Sequence, residues 1–232
     1  MKFLKQIIEI WRGKTFIDSV MNDFVKMMKE VDDMFITVTR LLFEKSVKTK
    51  KAMEKKVYEE DILVNKAERR IRKRVAEHLS CQAEVDVAAC LVMMSIVKDV
   101  ERIGDYCKNL VEVYEMLKKS LSKKDPYYNE FLKMRDEIRK IIEETTIAFK
   151  ESLVDNAKEV MNIAYKIEKK CDSIIQEIAK SKMETNRAVC LVLMARYFKR
   201  ISAHLSNIAS AVIYPVHRLD YYYKNLNKEN KK

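Results

Sequence analysis

The chain has 232 residues, 48% of them hydrophobic and 35% charged, and carries a formal net charge of +11. Two glycines and two prolines are too few for the turns of a β-sandwich or barrel, so the composition predicts an all-α protein of long helices. Gly13 and Gly104 alone cannot form a glycine-rich phosphate loop, which excludes the common nucleotide-binding enzymes.

Phe3, Leu4, Ile7, Ile8 and Trp11 fall at helical spacing, with Lys2, Lys5 and Glu9 elsewhere. They predict a short amphipathic helix over residues 1–15 that ends near Gly13. Its expected role is packing on the body or on a second subunit, although the lysine face and Trp11 also suit a membrane surface. The first long helix is expected from Phe16 to Ser46, with Phe24, Met27, Met28, Val31, Phe35, Val38, Leu41 and Leu42 as its buried stripe. A second helix follows over 50–79 and a third over 85–117. In the third, Ile96, Val100, Ile103, Cys107 and Leu110 step by four, three, four and three, the spacing of a bundle seam.

Lys118 to Pro126 is the one clear break, and Asp125 before Pro126 fits an N-cap with proline in the first helical position. A second trio is expected over 126–149, 153–182 and 184–214, with Pro215 interrupting the last helix. The tail from Tyr221 is polar enough to fray.

The halves are copies. Arg102-Ile103-Gly104-Asp105-Tyr106-Cys107-Lys108-Asn109-Leu110 returns 98 residues later as Arg200-Ile201-Ser202-Ala203-His204-Leu205-Ser206-Asn207-Ile208. A repeat of that length is a duplicated helical unit and not a solenoid repeat. The reading is therefore two tandem three-helix bundles related by internal duplication, over 16–120 and 126–215, flanked by segments 1–15 and 216–232.

Residues four apart share a helix face, so Glu101 and Asp105 can point to one place, as can Asp61 and Asn65. If their helices pack side by side, these oxygens converge into a set suited to a hard cation. The second copy differs, because Lys199 and Ala203 stand where the first has Glu101 and Asp105. A lysine there predicts a salt bridge from Lys199 to Glu168 or Asp172 in place of a metal. His204 is expected to be a hydrogen-bonded histidine at the bundle edge, and His78 and His217 to be isolated. The cysteines Cys81, Cys90, Cys107, Cys171 and Cys190 form no C-x-x-C pair and read as free thiols. No secretory signal or membrane-spanning run is visible, so a cytoplasmic location is expected.

Asp99-Val100-Glu101-Arg102-Ile103-Gly104-Asp105 resembles the third-helix signature of the PhoU family of phosphate-uptake regulators. Arg196-Tyr197-Phe198-Lys199-Arg200-Ile201 through Asn207-Ile208-Ala209 resembles the family's second-half form, and Asp61, Asn65 and Glu68 match its second-helix pattern. The resemblance implies a non-enzymatic regulator that binds a phosphate transporter ATPase, a sensor histidine kinase, or both, reaches the membrane through such partners, and forms a homodimer. It also implies iron or zinc on the bundle surface, and the hard oxygen ligands suit manganese or magnesium too: the carboxylates of Asp61, Glu68, Glu101 and Asp105 with the Asn65 carbonyl oxygen in the first half, and a degraded set of Glu168, Asp172 and the His204 imidazole in the second. No organic cofactor is implied. Arg102 and Arg200, kept in both copies, are expected to brace neighbouring helices by pairing with their acids. The alternatives are a pure scaffold bundle and a nucleic-acid binder that uses Arg69, Arg70, Arg72, Lys73 and Arg74.

Overall fold

The computed structural model describes residues 2–44, 50–81 and 86–219, with residues 2–15 given as helical backbone only. Six long helices carry the chain: α1 (Lys2–Phe43), α2 (Lys50–Cys81), α3 (Val87–Leu117), α4 (Tyr128–Glu151), α5 (Val154–Ala179) and α6 (Thr185–Ile213). Among the described residues there is no strand. The tail from Tyr221 lies outside the described residues.

The packing follows the duplication. α2, α3, α6 and α5 lie side by side in that order, while α1 covers α2 and α3 and α4 covers α5 and α6. The two halves meet twice, α3 against α6 and α1 against α4. Apolar residues at three- and four-residue spacing on α1, from Phe24 and Met28 through Val31 and Phe35 to Leu42, are fully buried, as the periodicity predicts. Phe198 joins the halves, with its ring 5.9 Å from both Phe35 and Phe131. All the cysteines except Cys81 are buried free thiols, and burial pushes Cys171 up to about 12.

Two boundaries differ from the sequence reading. The predicted short N-terminal helix is not separate: α1 runs unbroken from Lys2 through Gly13, because one glycine weakens a helix without ending it. Asp125 is not the N-cap of α4, which starts at Tyr128 behind Tyr127 in the left-handed region. Instead the Asp125 carboxylate accepts from the Ser122 amide and pairs with Arg187 at the start of α6. Burial pushes its pKa up, but these partners outweigh burial and hold it below the ordinary carboxylate value.

The linker also closes α1. The Ser120 hydroxyl donates to the carbonyls of Leu41 and Glu44 at 2.8 and 2.9 Å, and the Leu121 amide donates to Leu42 at 2.7 Å. These bonds satisfy carbonyls that a helix C-terminus leaves without partners. At the opposite end, Phe16 stacks on His78 with centroids 3.8 Å apart, and Asp86 lies 3.6 Å from the same imidazole. His78 is therefore not isolated.

Candidate functional site

The candidate acids sit where α2 and α3 pack. Asp61 and Glu68 are buried and Asn65 is half-buried on α2, while Glu101 and Asp105 are half-buried on α3. Asp61 and Asp105 do converge, and what joins them is a lysine. Lys108 Nζ lies 3.1 Å from Asp61 and 3.1 Å from Asp105, and Asn65 donates to Asp61 at 3.2 Å. Burial disfavours the ammonium, but hydrogen bonds to Asp61 and Asp105 outweigh it and raise the Lys108 pKa.

The other acids turn to cations on their own helices. Glu68 pairs with Arg72 at 2.9 Å, and Glu101 pairs with Lys98 at 3.1 Å. Arg102 contacts Glu101 at 3.6 Å and Asp105 at 2.9 Å, so it does not reach a neighbouring helix. Arg200 is exposed and has no ion-pair partner among the described residues. The expectation that both arginines brace helices is therefore corrected: position 102 clamps its own turn, and position 200 faces water.

Among the described residues no three His, Cys, Asp or Glu side chains come together as a metal set. The donor chemistry agrees. An ammonium with two carboxylate partners occupies the position between Asp61 and Asp105, and Asn65 turns its amide donor, not its oxygen, toward Asp61. These residues fit a lysine clasp and do not fit a metal site as they stand.

The second half holds the bond expected of it. Lys199 on α6 reaches both oxygens of Asp172 on α5, at 2.6 and 2.7 Å. Glu168 is half-buried on α5. His204 does not join this set and turns to the first half, where its Nδ1 lies 2.6 Å from Asp99 Oδ1. Asn207 donates to the same oxygen at 3.1 Å. Tyr106 continues this seam, with its ring 5.7 Å from His204 and 5.8 Å from Tyr197.

Sequence reasoning missed Lys108, Lys98 and the acceptor role of Asp99. Lys108 stands three residues after Asp105 on the same helix, a spacing that could have flagged it. The bond from Asp99 to His204 spans 105 residues and carried no local signal. Most of the Arg69 to Arg74 cluster is already engaged: Arg70 and Arg74 hold Asp23, Arg72 holds Glu68, and Lys73 pairs with Glu77.

A groove of about 710 Å³ lies on the other layer, between α1 and α4, lined by Val25, Met28, Asp32, Arg139, Ile142 and Glu143 among others. One Asp32 oxygen is buried there without a hydrogen-bond partner in the described structure. Burial raises the Asp32 pKa, Arg139 opposes that shift, and Asp33 and Glu143 add to it. No helix of the described residues is long and apolar enough to cross a membrane.

Comparison with known proteins places this geometry. The PhoU domain family matches residues 24–114 and 131–212, one match in each half. A phosphate-specific transport system accessory protein PhoU homolog from Synechocystis is 25% identical over 210 residues, covering 85% of this chain and 88% of its own. Homolog 1 of the same accessory protein, from Thermotoga maritima, is 24% identical and covers 84% and 90%. The crystal structure of PhoU from Pseudomonas aeruginosa superposes with a TM-score of 0.77 at 22% identity, covering 88% of this chain and 98% of that one. The phosphate transport system regulatory protein PhoU from Streptococcus pneumoniae gives 0.75 at 16% identity, covering 87% and 95%.

Proposed function

Because the chain belongs to the PhoU domain family, we propose that it is a non-enzymatic regulator of phosphate uptake that acts by binding components of a phosphate transport system. The observation that carries this reading is the double family match, which spans all six helices and both halves of the repeat. The site chemistry supports it. Asp61 and Asp105 in the first half and Asp172 in the second are each closed by an ammonium of this chain, an arrangement suited to fixing helix packing.

The partners we assign are a phosphate transporter ATPase, a sensor histidine kinase, or both, met by a homodimer in the cytoplasm. The layer in which α2, α3, α6 and α5 lie side by side is the face we assign to such contact. Its helices are held by Lys108 in one half and Lys199 in the other, so the face keeps its shape without a bound metal. Removing the gene from its host and following phosphate uptake with phosphate plentiful tests the reading. Uptake should rise in the deletion strain and return to its former level when the gene is restored. Unchanged uptake, together with failure to recover any transport component from native membranes at high or low phosphate, would overturn it.

A further inference from the structure

α1 outruns the helices around it. Phe16 stacks on His78, three residues before α2 ends at Cys81, so α2 stops at about the level of Phe16. Met34 of α1 lies beside Gly104 of α3. The parallel helix α3, which begins at Val87, therefore starts at about the level of Ile17. Phe24 meets Phe149 of the antiparallel α4, which ends two residues later at Glu151. Residues 2–15 therefore carry the α1 backbone about 20 Å past the ends of its described neighbours. They also lie outside the family match, which begins at residue 24.

The sequence of that extension is not that of a solvated helix. On a helical backbone Phe3, Leu4, Ile7, Ile8, Ile10 and Trp11 share one face, and Lys2, Lys5, Gln6, Glu9 and Arg12 share the opposite one. On the polar face three cations, Lys2, Lys5 and Arg12, stand against the single acid Glu9, while Lys14 falls in line with the apolar face at the end nearest the bundle. A wide apolar face that carries Trp11 and Phe3, opposite a cationic polar face, is the pattern of a helix lying in a lipid interface.

We propose that residues 2–15 form a surface anchor that lays α1 on an anionic membrane. The charge complementarity is direct, because three cations on the polar face meet anionic headgroups while six apolar residues enter the acyl boundary. A second copy fits less well. A stripe about 20 Å long and 10 Å wide is far short of the roughly 800 Å² per partner that a stable dimer buries. The anchor brings the regulator to the surface where a transport system resides, and it does not depend on which component the bundles bind.

Co-sedimentation of the purified full chain with phosphatidylcholine vesicles, with and without about 30% phosphatidylglycerol, tests this directly. The chain should pellet with the anionic vesicles, more weakly with the neutral ones, and less as salt is raised. The Ile7→Glu/Ile8→Glu variant should lose binding by at least about tenfold. Deletion of residues 2–14 should do the same while the melting of the bundles is retained. Failure of the natural chain to bind anionic vesicles would overturn the proposal, as would binding that these changes leave intact. A dimer that becomes monomeric in the Ile7→Glu/Ile8→Glu variant without vesicle binding would assign the stripe to a second copy instead. No transport component enters the assay, so its outcome is separate from that of the proposed function.

Discussion

His204 and Asp99 meet at 2.6 Å across the α3/α6 seam, and their repeat equivalents, Tyr106 and Tyr197, meet across the same seam with rings 5.8 Å apart. The positions 98 residues away are thus in contact too, as an approximate two-fold relation between the halves requires. One contact of the pair has become polar and the other aromatic. The polar one is the more demanding, since Asp99 is buried and also accepts from Asn207.

Asp99→Ala should therefore strand two donors at the seam and cost about 2–3 kcal/mol. Thermal melting should fall by roughly 5–10 °C for a chain of this size. A double-mutant cycle with His204→Ala should give a coupling above about 0.5 kcal/mol. Strict additivity would mean that the contact contributes nothing to holding the halves together.

The Lys199 to Asp172 bond makes a second prediction. Lys199→Glu restores the residue type that the first repeat carries at Glu101 and sets it against Asp172, so stability should drop by about 1–2 kcal/mol. Adding Asp172→Lys reverses the pair and should recover most of that loss in urea unfolding. If the double variant is no better than the single one, packing at these positions matters and charge does not.

These two bonds show what was legible in the sequence. The Lys199 bridge could be foreseen, because a substitution in one copy of a repeat identifies the partner position in the other. The six helices and their pairing in trios were legible for the same reason, with periodicity giving the buried stripes and the Lys118 to Pro126 break giving the join. Asp99 and His204 were not, since nothing local links residues on two helices of different halves. The end of the first helix at Gly13 was misjudged because a single glycine lowers helix propensity by only about 1 kcal/mol, which the neighbouring turns outweigh. Asp125 reads locally as a cap, but Arg187 on a distant helix draws its carboxylate elsewhere.

Asp32 gives the pH dependence. Burial raises its pKa, so the folded state binds this proton more tightly than the unfolded chain does. Its contribution to stability is greatest below the unfolded carboxylate value of about 3.9 and is lost as pH rises through the folded value. At neutral pH the ionised group is a net liability, modest because Asp32 is only half-buried. Asp32→Asn should raise the melting temperature by roughly 1–2 °C near pH 7, with a gain on the order of half a kcal/mol after solvent screening. The gain should shrink toward zero as the pH approaches 4. An equal gain at both pH values would trace the effect to amide hydrogen bonding and not to the charge.

Lys108 decides whether the first-half acids hold a cation of their own or one from solution. Its ammonium is 3.1 Å from Asp61 and from Asp105, so a divalent ion between those carboxylates would have to displace it. Displacement exposes the ion to a nearby positive charge and costs the lysine its hydrogen bonds. The natural chain should show no saturable heat on titration with Mn²⁺. Lys108→Ala removes the competitor and leaves two carboxylates facing each other, which should cost about 1 kcal/mol in metal-free buffer. It should also open a Mn²⁺ site whose occupancy restores stability in proportion to the logarithm of metal concentration. Calorimetry on both proteins, with melting followed across a Mn²⁺ series, separates the cases. Equal Mn²⁺ affinity in the two would show that Lys108 yields readily to metal. Absence of binding in both would show that Asn65 and the pairing of Glu68 and Glu101 with their own helices have already dismantled the donor set.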